Sequence, residues 1–164
     1  MQLKTSSPSL KSMNSLPEVE MELKELMPII MEKLSAGQTV KFSPMGISML
    51  PMLRQKIDSV VLSAPPAKLK KYDLPLYIRD NGKYILHRVI EAGDTYTCCG
   101  DNQFQMERGI RPDQIIAIVT GFYRDDKYIS VEDPKYLRYC RFWDSSREIR
   151  HFKRRAEGWL RRHL

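Results

Sequence analysis

The chain has 164 residues, 42% hydrophobic and 29% charged, with a net charge of +7. That composition suits one globular domain with a modest core and terminal appendages. No apolar run approaches the ~18 residues that a membrane span needs. Three cysteines, Cys98, Cys99 and Cys140, do not make a disulfide framework, and point to a reducing, cytoplasmic setting.

The charge is unevenly spread. Residues 133–164 hold ten Lys/Arg and four acids, a net +6, so the other 132 residues carry only +1. The basicity therefore belongs to the C-terminal segment rather than to the chain as a whole.

Residues 1–17, rich in Ser, Lys and Pro, read as a disordered leader without the apolar stretch of a secretory signal. A helix is predicted over 18–35, with Val19, Leu23, Leu26, Ile30 and Leu34 on one face. Pro28 should kink or divide it, and Gly37 should end it. From Thr39 short apolar runs alternate with turn residues. Strands are predicted over 39–43, 58–63, 74–79, 84–91, 95–99, 114–123 and 127–131. Asn81-Gly82 marks a tight hairpin between two of them. The expectation is a mostly β domain over 18–132, its β core over 39–131 a folded-over or barrel-like sheet. After Pro134 the chain turns helical and basic, with Tyr139, Phe142, Ile149, Phe152, Ala156 and Trp159 on one stripe.

Three short segments carry the chemistry. Ser48 stands in Met45-Gly46-Ile47-Ser48-Met49-Leu50-Pro51, where a serine between glycine and proline is otherwise an ordinary turn residue. His87 interrupts an apolar strand, Tyr84-Ile85-Leu86-His87-Arg88-Val89-Ile90. Asp101 follows Cys99-Gly100 and precedes Asn102. Serine is a weak nucleophile until a base takes its proton, and a neutral imidazole of ordinary pKa about 6.5 suits that task.

The order of these segments resembles the superfamily of LexA-like self-cleaving proteins and type I signal peptidases. The matching residues are Gly46-x-Ser48-Met49-x-Pro51, Asp58-x-Val60-Val61, Leu86-His87-Arg88-Val89-Ile90, Gly100-Asp101-Asn102 and a closing strand with Gly121, about 39–124 in all. The glycine two residues before Ser48 is similar to the LexA branch. His87-Arg88, where bacterial members have a lysine base, is similar to the endoplasmic-reticulum signal peptidases. The resemblance implies a serine endopeptidase acting on a peptide or protein substrate, with Ser48 as nucleophile and His87 as general base within ~3–4 Å of it. Asp101 is the leading acid to orient His87, and Glu107 is the alternative. Gly46 lacks the hydroxyl that many signal peptidases place there, which leaves the backbone N–H groups of Ile47 and Ser48 as the oxyanion donors.

The resemblance implies no metal or cofactor, and His151 and His163 lack a ligand cluster. Ala36-Gly37 matches a self-cleavage dipeptide but reads better as a helix end. The single predicted N-terminal helix argues against a DNA-binding repressor module. The rival reading is a catalytically silent scaffold that works through residues 133–164. These would bind a protein or lie peripherally on an anionic membrane surface, with nucleic acid the less favoured partner. Oligomeric state is not legible.

Overall fold

The computed structural model describes residues 23–163, with the side chains of 162 and 163 excepted. The predicted leader and the first turn of the predicted helix lie outside the described residues. Helix α1 runs over Leu23–Ser35 and buries Met27, Ile30 and Leu34. It continues unbroken across Pro28, which stands on the exposed face. An interior proline costs about 3 kcal/mol. Three buried aliphatic side chains contribute about 1.5–3 kcal/mol each, enough to hold the helix together.

Nine strands follow: β1 Val40–Phe42, β2 Ser59–Ser63, β3 Pro75–Ile78, β4 Tyr84–Leu86, β5 Arg88–Ala92, β6 Tyr96–Cys99, β7 Glu107–Ile110, β8 Ile115–Arg124 and β9 Lys127–Ser130. All pairings are antiparallel. A six-stranded sheet has the order β1-β2-β8-β3-β4, with β9 also on β8. A three-stranded sheet has the order β5-β6-β7. No barrel closes among the described residues. The fold is mixed α/β rather than mostly β, because α1, α2 over Pro134–Ser145 and α3 over Arg147–His163 hold about as many residues as the strands.

The predicted strand 84–91 is two strands. The chain leaves the large sheet after Leu86 and enters the small one at Arg88, so His87 alone spans the junction. One core forms around α1, Met49, Met52, Leu53, Val60, Leu62, Leu76, Val119 and Phe122. The other joins the sheets through Tyr77, Val89, Tyr96, Cys98 and Ile110.

The C-terminal segment is two helices, not one stripe. Asp133 caps α2 by accepting from the Lys135 and Tyr136 N–H groups. Tyr136 and Cys140 enter the main core, so α2 is part of the domain rather than an appendage. Phe142, by contrast, is exposed.

What draws α2 in is Arg88, only 1% exposed. Its Nε and Nη2 each reach an oxygen of the fully buried Asp101 at 2.8 Å. Its Nη1 donates to the Tyr136 hydroxyl at 2.8 Å, and the Tyr139 hydroxyl donates to Asp101 at 2.9 Å. Asp101→Asn would leave the Arg88 charge buried without a counter-charge. It should destabilise the protein by about 3–5 kcal/mol in urea or thermal unfolding. A loss below about 1 kcal/mol would mean that the pair does not anchor α2.

Candidate active site

Ser48 sits on a turn held from both sides. Behind it, the buried Met49, Met52 and Leu53 root the following residues in the main core. Asp58 then fastens the segment's end. Its carboxylate accepts from the Arg54 N–H at 2.8 Å and from the Arg54 guanidinium at 2.6 Å. Burial works against that charge, but the Arg54 bonds outweigh it and hold Asp58 below the usual carboxylate range. Ahead of Ser48, Gly46 has φ +93°, a conformation that L side chains rarely adopt.

Asn102 clamps the turn from the other side. Its N–H donates to the Ser48 carbonyl at 2.8 Å and its Nδ2 to the Ile47 carbonyl at 3.1 Å. Because a trans peptide sets N–H opposite C=O, the second bond turns the Ser48 N–H away from Asn102. Gly100 leaves no room for a side chain. A Cβ there would lie 2.6 Å from the Ser48 carbonyl oxygen and 3.1 Å from His87 Nε2. Gly100 thus lies close to both the Nε2 edge of His87 and the Ser48 backbone. Both residues line one cleft of about 110 Å³, together with Pro44, Met45, Leu53 and Ile85. Among the described residues no hydrogen bond joins the Ser48 hydroxyl to His87, so the pair shares the cleft without the bond formed.

His87 is buried, and its other nitrogen has a carboxylate partner. Nδ1 lies 3.1 Å from Glu107 Oε1 and 3.4 Å from the Tyr77 hydroxyl. Asp101 does not take this place: its two carboxylate oxygens face Arg88 and Tyr139. The acid at His87 is the alternative, Glu107. Arg79 grips Glu107 with both Nε, at 2.7 Å, and Nη2.

Strand register explains the sorting. Val89 is opposite Cys98, and Cys98 is opposite Glu107. Residues directly opposite share a face, and so do residues two apart. His87, Val89, Cys98 and Glu107 therefore share one face, and Arg88 and Cys99 the other. Strand β7, which delivers Glu107, has no apolar alternation in Glu-Arg-Gly-Ile and was not foreseen.

Burial pushes His87 below its ordinary 6.5. Glu107 opposes that shift and Arg79 adds to it. The imidazole is neutral at pH 7. With Nδ1–H donated to Glu107, its lone pair sits on Nε2. Burial also disfavours a charged Glu107, but Arg79 and His87 outweigh it, and the carboxylate stays below the usual range. Burial first, then Glu107, pushes the neighbouring Cys98 thiol up to about 12, so it is no nucleophile at neutral pH. No group of three His, Cys, Asp or Glu among the described residues could hold a metal ion.

Comparison with protein-family models, with curated proteins and with solved structures finds no match to this chain.

Two measurements probe this geometry. In an NMR titration His87 should titrate below 6.5, and Glu107→Gln should lower it further, because the imidazolium loses its counter-charge. An unchanged value would remove Glu107 as its partner. Gly100→Ala should shift the amide resonances of Ser48 and Asn102 and lower the melting temperature, since the new methyl meets backbone. Wild-type spectra in that variant would contradict the close approach.

Proposed function

We propose that the chain is a serine endopeptidase of the LexA/signal-peptidase type, with Ser48 as nucleophile, His87 as general base and Glu107 as the group that orients it. The observation that carries this reading is His87 itself: a neutral, buried imidazole with a carboxylate at Nδ1, lining one cleft with Ser48. A merely structural histidine needs neither a free second nitrogen aimed at a cleft nor a serine beside it. The antiparallel sheets and the Gly-x-Ser-Met-x-Pro turn agree with the resemblance.

In the proposed reaction Nε2 accepts the Ser48 proton as Oγ attacks the scissile carbonyl. The backbone N–H groups of Ile47 and Ser48 receive the oxyanion. The imidazolium then returns the proton to the leaving amine, and water, activated by the same nitrogen, releases the acyl group. Edge strand β4 leads directly into His87. An extended peptide pairing along that edge would be fed toward Ser48.

An acylating serine probe should label Ser48 and fail on Ser48→Ala and His87→Ala. Glu107→Gln should slow labelling by about 100-fold or more. Because His87 titrates below 6.5, labelling should be full above that pH and fall as acid protonates the base. If neither labelling nor cleavage of a broad peptide library occurs, with or without vesicles, the catalytically silent scaffold becomes the better reading.

A further inference from the structure

Helix α3 is docked with its polar side inward. Arg147 is buried and donates to Cys99 Sγ at 2.9 Å. Arg150 stacks its guanidinium 3.7 Å over the Trp143 ring and donates to the Asp101 carbonyl at 3.2 Å. Arg154 donates to the Asn102 carbonyl at 3.2 Å and to Asn102 Oδ1 at 2.7 Å. At about 100° per residue these three arginines fall on one side of the helix.

The opposite side is apolar and faces outward. Ile149 is 73% exposed, Phe152 77% and Trp159 56%, with Leu160 and Ala156 also exposed. These five fall within a stripe about 100° wide. An amphipathic helix packed on its own domain ordinarily does the reverse, burying the apolar stripe. Lys153 borders one edge of the stripe and Arg155 lies past the other, both exposed. Glu157 lies outside Lys153 and pairs with it at 3.9 Å, whereas Glu148, in the first turn of the helix, lies between the stripe and Arg155. The 17 residues of α3 hold seven arginines and lysines against those two acids.

We propose that the outward face of α3 docks on an anionic lipid surface. The chemistry is that of an interfacial helix: aromatic and aliphatic side chains enter the headgroup boundary while flanking cations meet lipid phosphates. A protein groove could take the apolar stripe, but the net charge of +5 on α3 favours a planar anionic surface. The proposal stands apart from the peptidase reading, since no residue of the stripe lines the Ser48 cleft.

The full chain should sediment with vesicles of about 30% phosphatidylglycerol in phosphatidylcholine, and far less with phosphatidylcholine alone. The double variant Ile149→Ser/Phe152→Ser keeps every charge and changes only exposed side chains, so its melting temperature should be that of wild type. Its vesicle binding should fall about tenfold or more. Lys153→Glu/Arg155→Glu should weaken binding similarly, and about 0.5 M salt should weaken the wild type. Equal sedimentation of wild type and Ile149→Ser/Phe152→Ser would overturn the proposal. So would a wild type that ignores vesicles but forms a dimer in sedimentation velocity that the serine variant abolishes, which would make the stripe a self-association face.

Discussion

The buried ion pair of Arg88 and Asp101 is the constraint on which most of the molecule turns. Removing two charges from water costs several kcal/mol per ion. The pair is tolerable only because nearly every donor and acceptor on it is used. Arg88 gives two bonds to Asp101, one to Tyr136, and contacts to Cys140 Sγ and Met52 Sδ. Asp101 takes a further hydroxyl from Tyr139. These partners come from β5, from the loop after β6, from the segment after Ser48 and from α2. The network can be satisfied only when all four are in place. It thus fixes where α2 lies and how the Ser48 segment approaches the small sheet.

It also constrains His87. Neighbouring residues of an extended chain point to opposite sides. With Arg88 locked inward toward Asp101, His87 must face the other way, toward Glu107 and the cleft. The adjacent histidine and arginine divide the labour: one residue anchors the chain, the next presents an imidazole whose direction that anchor sets.

The same alternation shows how far the site was legible. Ser48 and His87 stood out through the order of the three segments and the resemblance it carries, and the fold brings them to one cleft. The resemblance favoured Asp101, the acid that follows Gly100. Yet with Cys99 opposite Arg88, Asp101, two residues on, has the parity of the Arg88 side. Placing it required the register of β5 on β6, which no single strand reveals. Glu107 was harder still, since β7 is a short, polar strand that exists through pairing with β6 rather than through its own pattern. Most other strands were readable from apolar runs between turn residues. The break at His87 was not, because a strand that changes sheets keeps its alternation while changing its neighbours. The helical tail misled for a related reason. Tyr139, Phe142 and Ile149 fit one stripe only if the helix is continuous, and the turn at Ser146 separates α2 from α3.

Asn102 joins the halves of this arrangement. Its N–H and Nδ2 hold the carbonyls of Ser48 and Ile47, while its own carbonyl and Oδ1 accept from Arg154 of α3. One residue therefore stands between the helix that turns an apolar face outward and the turn that carries the candidate nucleophile. A side-chain amide has both donors and acceptors, and here they point in opposite directions, donors to the turn and acceptor to the helix. Neither an aspartate, which lacks the donors, nor a lysine, which lacks the acceptor, could bridge the two. The Asn102 amide is thus a contact shared by the seat of Ser48 and the seat of α3, its donor used on one side and its acceptor on the other.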